Sequence, residues 1–376
     1  MDQPIAPIRN SATAGFTLIE LIVATAIMLA IVGATMTAMS QAIQTNQTAQ
    51  QLTGMNNTLR TALDLMVRDM LQVGQGLPTG RVILTPSGAG SVQINLPGPP
   101  IGAGVTTTYR NLVGDTDMAA VTPGPGLGPT VNGVATDMIT VLAADGSFDH
   151  VRLTALTNTT MTVDPAVNIT TGVNSIQPAQ LIMLDKGTNT ALVQITNVGG
   201  TQTVTFAAND SLLLNQAGAA AGSVGALRAA APSPDNPAPT FISATATRIF
   251  MVSYYLDAVT TPGRPRLIRR VNNGHATTFN NNLGNVVAFD VENLQITYDL
   301  ADGVGNPSNV RMTQSDQVGT GACAPNPCSQ NQIRKVNIVL QGRSRLPVIG
   351  SAKQYLHNTL TTQVSLRSLS FVDRYK

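Results

Sequence analysis

The sequence is short of charge, aromatic rings and cysteine. Tryptophan is absent, Phe, Trp and Tyr together make 4% of the 376 residues, and 11% are charged. With 22 Lys+Arg against 20 Asp+Glu and no basic run, the chain has no field for binding a phosphate backbone, so nucleic acid is not among the expected partners. Two cysteines are too few for a disulfide-built scaffold. The three histidines, His150, His275 and His357, are scattered, with no metal-ligand spacing and no Ser or Cys nucleophile motif beside them. No enzymatic activity, cofactor or metal is therefore expected. Asp299-Leu-Ala-Asp302-Gly303 lacks the alternating carboxylates and closing glutamate of a calcium loop and reads as a turn.

Charge is missing altogether between Glu20 and Arg60, and proline between Phe16 and Leu77. Within that stretch Phe16 to Met39 forms an apolar run of 24 residues. As a helix it measures about 36 Å, enough to cross a bilayer core. The run is too long for the apolar region of a secretory signal, and a core helix would rarely be apolar on every side. On its N-terminal flank Asp2, Arg9 and the initiator amine sum to about +1, which favours a cytoplasmic N-terminus and places the rest of the chain outside the inner membrane.

What is present after the run is ordered by composition. Leu52, Met55, Leu59, Leu63, Met66, Met70 and Val73 recur at helical spacing, so a single helix is expected from Phe16 to about Val73, with Gly33 and Gly54 as soft points and Gly74, Gly76 and Pro78 as the stop. The chain then turns to short alternating stretches of Val, Ile, Thr and Leu. Strands are expected at Met138 to Leu142, Val151 to Leu156, Leu181 to Leu184, Leu192 to Thr196 and Thr203 to Phe206. A second group is expected at Arg248 to Leu256, Arg266 to Val271, Val286 to Leu300, Arg334 to Leu340 and Thr361 to Phe371. The fold class is α+β: a long N-terminal helix followed by a β-rich globular domain carrying a β insertion.

One acid, Glu20, stands inside the apolar run, where an unpartnered carboxylate costs about 2.5 kcal/mol or more. The string around it, Gly15-Phe16-Thr17-Leu18-Ile19-Glu20, resembles the cleavage site of type IV prepilins and type II secretion pseudopilins. The resemblance implies a membrane-embedded prepilin peptidase that cuts between Gly15 and Phe16, N-methylation of Phe16, and a role for Glu20 in assembly. A glycine at the cut leaves an extended backbone unobstructed, and a helical side chain at Glu20 points back toward the amine that cleavage exposes at Phe16. The leader departs from the family pattern in having only Arg9 as a basic residue, and the long helix lacks the proline common in major pilins.

Later stretches, LDLMVRDMLQVGQGLP, YYLDAVTTPGRPRLIRRVNNG, VVAFDVENLQITYDLADG and TTQVSLRSL, are similar in their order to PilW-type minor pilins. The organisation implied is a leader at 1–15, a transmembrane half-helix at 16–40, an amphipathic stalk at 41–76, a β-rich region with the insertion at 77–216, a linker or exposed loop at 217–240 and a β-sheet region at 241–376. The expected function is a minor pilin, held in the inner membrane as a single-pass precursor and then carried into a surface pilus. The implied partners are the prepilin peptidase, other minor pilins and the major pilin, the inner-membrane assembly machinery and membrane lipid. A J-type pseudopilin and a pilus adhesin are the alternatives. On the oxidising side of the membrane Cys323 and Cys328, in a Pro/Asn/Gly loop without further ligands, are expected to form a disulfide.

Overall fold

The computed structural model describes residues 15–77, 82–84, 94–98, 117–187, 189–208, 210–215, 222–229, 242–261, 263–272, 284–301, 307–348 and 354–369. Leader residues 1–14, His275, Asp302 with Gly303, Pro78, Phe371 and most of the 217–240 stretch lie outside these residues. The part of that stretch that is described contains a short helix, Val224–Ala229.

A single helix, Leu18–Gln72, runs for 55 residues, or about 82 Å, and passes through Gly33 and Gly54 without interruption. Its two halves differ as their sequences do. The apolar half is exposed all round, whereas Met55, Leu59, Ala62, Leu63, Met66 and Met70 are buried in the head. Leu52, expected at the start of this stripe, is 36% exposed, so the helix meets the head one turn later than its periodicity suggests. Gly74 and Gly76 adopt φ of +77° and +67°, and a Cβ at Gly76 would lie 2.5 Å from that of Ala144. Only glycine permits both this turn and this approach.

The head is built on a sheet of eleven described strands around Thr245–Asp257. This 13-residue strand serves two neighbourhoods: residues 245–249 pair with Leu181–Lys186, and residues 252–257 with Arg266–Val271. Met138–Ala144 lies along residues 249–254. The expected insertion is thus hydrogen-bonded into the main sheet, although Phe148, Leu153, Met161, Ile182, Val204 and Phe206 belong to an apolar cluster of its own.

A second sheet of three strands, Val291–Leu300, Ile333–Arg343 and His357–Ser365, packs its apolar side against the helix. The stretch expected as one strand, Val286 to Leu300, is two. Asp290, at φ +60°, breaks it, so that Asn285–Phe289 stays in the large sheet and Val291–Leu300 starts the small one. The last strand begins earlier than expected, at His357, and gives way to a 3₁₀ turn at Arg367–Leu369.

Candidate functional site

Gly15, Phe16 and Thr17 precede the first helical residue, and Thr17 is extended at ψ 148°. The helix starts at Leu18 because Thr17 and Glu20 form a capping box. Glu20 N–H donates to Thr17 Oγ1 at 3.4 Å, while Glu20 Oε2 accepts from Thr17 N–H at 2.9 Å and from Thr17 Oγ1 at 3.0 Å. The pattern Thr-x-x-Glu before an apolar run is a helix-start signal in its own right. Thr17 was the residue that reasoning from the cleavage string passed over. The carboxylate of Glu20 is thereby held next to the residue that follows Phe16. A Cβ at Gly15 would meet nothing within 4 Å, so the Gly15–Phe16 bond lies in open, non-helical backbone.

Beyond this turn the threonines of the apolar run need no water. The hydroxyls of Thr25, Thr35 and Thr37 donate back to Ile22 O, Val32 O and Gly33 O, each at 2.9 Å, which satisfies them inside the helix. Among the described residues this is the one helix long and apolar enough to cross a bilayer. The architecture of the described residues is an N-terminal helix long and apolar enough to span a membrane, followed by a β-rich head.

The far end of the helix is tied to the head by charge as well as packing. Asp69 Oδ2 accepts from Tyr254 Oη at 2.5 Å and from Arg269 Nε at 2.6 Å, and Asp69 Oδ1 accepts from Arg269 Nη2 at 3.1 Å. The ion pair holds the pKa of Arg269 above its ordinary value, while burial and the Asp69 carboxylate push that of Tyr254 up. Nearer the apolar half a groove of about 650 Å³ separates helix from head, lined by Gln51, Met55, Leu59, Arg264, Phe289 and Arg343 among others. Two of its arginines have partners: Arg264 forks Asp290 at 3.0 and 2.8 Å, and Arg343 pairs with Glu292 at 3.1 Å.

The remaining sequence-expected residues lie in the head. Cys323 and Cys328 are bridged, with Cα atoms 5.7 Å apart. Both stand in the loop between Gln317 and Gln330, as expected, with their side chains buried in the main apolar cluster. His150 pairs with its neighbour Asp149 at 2.6 Å, and His357 with Glu292 at 3.0 Å. Among the described residues no group of three or more His, Cys, Asp or Glu could hold a metal ion. Asp299 accepts instead from Asn309 N–H, Asn337 Nδ2 and Gln363 Nε2 at 2.9 to 3.1 Å. No protein-family model, curated protein or solved structure matches the chain.

Proposed function

We propose that this chain is a minor pilin of the PilW type, cut by prepilin peptidase between Gly15 and Phe16 and carried by its helix into a type IV pilus. The observation that carries the reading is the junction at the N-terminus. The GFTLIE string falls where extended, open backbone meets a capped helix whose apolar half is covered by nothing. Cleavage there gives a cationic amine at Phe16, one residue from the Thr17 N–H that Glu20 already holds at 2.9 Å. In the apolar interior of a helix bundle that amine and the carboxylate neutralise each other, within one chain or between neighbours.

The helix supplies the mechanism of assembly. Its apolar half leaves lipid for the company of like helices, where van der Waals contact replaces contact with acyl chains. Above it the uncharged Ser40 to Gln51 stretch offers hydrogen bonds but no charge with which to choose a partner, so selection falls to the β head. A head this large would crowd its neighbours if it stood at every position, which makes the subunit scarce and places it at initiation, at the tip.

The test is to shear pili from the native host and quantify this protein against the major subunit, with and without deletion of its gene. The expected result is co-purification at a small fraction of the major subunit and loss of surface pili on deletion. A ratio near one, or unchanged piliation, would refute the assignment.

A further inference from the structure

The strand His357–Ser365 pairs with Ile333–Arg343 without a register shift, and no other described strand pairs with it. Hydrogen bonds just beyond its ends fix which main-chain groups face inward. Ser344 N–H donates to Leu356 O at 2.7 Å, and Leu366 N–H donates to Arg334 O at 2.9 Å. Bonded and non-bonded positions alternate along an antiparallel pair. The even-numbered residues therefore bond to Ile333–Arg343, and His357, Thr359, Thr361, Gln363 and Ser365 turn their N–H and C=O groups outward. Of these N–H groups that of Thr359 is covered, by its neighbour Asn358 Oδ1 at 2.9 Å. The strand has no lysine, no proline and no bulge, and its one titratable side chain is His357 at the end. Its own residues thus include no fixed charge, proline or bulge of the kind that keeps a strand edge from pairing.

We infer that this edge receives an extended segment from the head of a different subunit, added as a fourth strand and held mainly by main-chain hydrogen bonds. The inference rests on the pilin reading above. The helix excludes the same strand of a second copy as the occupant. A second copy of the strand, paired antiparallel about Thr361, would match every outward group, but it would relate the copies by a two-fold axis normal to the sheet. The helix lies on the face of this sheet: Asn358 Nδ2 donates to Asn56 Oδ1 at 2.5 Å, and a Cβ on Gly342 would come within 2.9 Å of Leu59 Cδ2. The two-fold would reverse the helix, and two apolar halves pointing opposite ways cannot share one membrane or one filament. The incoming segment belongs to a subunit whose helix runs parallel to this one. Thr359, Thr361 and Gln363 along the edge call for an uncharged strand rich in hydroxyl and β-branched side chains.

Thr361 supplies the test in the full chain, expressed in the native host. Thr361→Pro removes one outward donor and spares the existing ladder, since proline is tolerated where the N–H faces away from the sheet. Thr361→Ala keeps the donor. Both should mature and keep the Cys323–Cys328 bridge. The alanine variant should enter sheared filaments like wild type, and the proline variant about tenfold less, the loss expected from about 1.4 kcal/mol of pairing. Thr361→Cys places the chain's single free thiol at the two-fold position, where bonded antiparallel neighbours come about 5.5 Å apart at Cα and can bridge. If the proline variant does not accumulate, amide exchange of wild type decides: the N–H groups of Thr361, Gln363 and Ser365 should exchange fast in the solubilised chain and slowly in filaments. A proline variant present at wild-type level, equal exchange in both states, or a disulfide-linked homodimer of the Thr361→Cys variant would each overturn the inference while leaving the pilin reading intact. Absence of wild type from filaments would overturn both.

Discussion

Glu20 closes the first turn of the helix and, on the proposed cleavage, is also the acid available to the amine at Phe16, and two substitutions separate these duties. Gln can complete a capping box as Glu does, whereas Ala cannot, and neither carries charge. If neutralisation of the amine is what admits the subunit, Glu20→Gln and Glu20→Ala should both leave the precursor inserted and cleaved, yet fall to a similar extent in sheared filaments. Wild-type incorporation of the Gln variant would assign Glu20 to capping alone. At the neighbouring position Gly15→Val should block processing, because a branched side chain replaces the open approach to the Gly15–Phe16 bond. The readout is the N-terminal residue of the membrane-bound protein, and mature chain beginning at Phe16 would refute the site.

The stalk half of the helix is an element whose seat depends on one carboxylate. Asp69 is half-buried between Arg269 and the buried Tyr254, and removing it strands both, at a cost below the roughly 3 to 5 kcal/mol of a fully buried ion pair. Asp69→Asn should therefore lower the denaturation midpoint of the detergent-solubilised chain by several degrees while leaving the apolar half inserted; an unchanged midpoint would show that packing of Met66 and Met70 suffices. The Arg266–Val271 strand sets a pH limit through Asp257. Burial opposes ionisation of Asp257, but N–H groups of Thr260 and Val259 and the Arg266 guanidinium outweigh it, so its pKa lies below the ordinary value. A lowered carboxylate pKa adds stability that is complete above the unfolded-state value of about 3.9 and is lost as pH falls through the folded one. Acid unfolding followed by circular dichroism should begin below about pH 4, and at higher pH in Asp69→Asn or Arg266→Ala.

Much of this level was legible beforehand because it is written in local periodicity: the stripe from Met55 to Met70, and strands such as Val151–Leu156 and Arg266–Val271. What could not be read there is long-range or depends on one backbone angle. Asp69 and Arg269 meet across 200 residues, and nothing in the alternation of Val286 to Leu300 announces that Asp290 turns left-handed and sends the chain to another sheet. At the candidate site Gly15, Phe16 and Glu20 stood out at once; Thr17 did not, although its spacing to Glu20 carried the signal.

At the scale of the whole molecule the helix and the head divide the labour on the proposed reading, the one for membrane and bundle, the other for choosing neighbours. The head has two apolar clusters, one around Met66, Tyr254 and Leu340, the other around Phe148, Met161 and Phe206. Two cores of this kind commonly melt one after the other. Here Thr245–Asp257 contributes Met251, Tyr254 and Leu256 to the first and Ala246 to the second, and its main chain bonds to strands of both neighbourhoods. The strand cannot leave one core and stay in the other without breaking its own ladder. Calorimetry of the solubilised chain should accordingly show one transition whose van't Hoff and calorimetric enthalpies agree, and two resolved peaks would contradict this. If the chain is hauled out of a bilayer as the proposed function requires, its helix passes tension into the head, and a shared strand spreads that tension over both cores, so that the head yields as a whole or not at all.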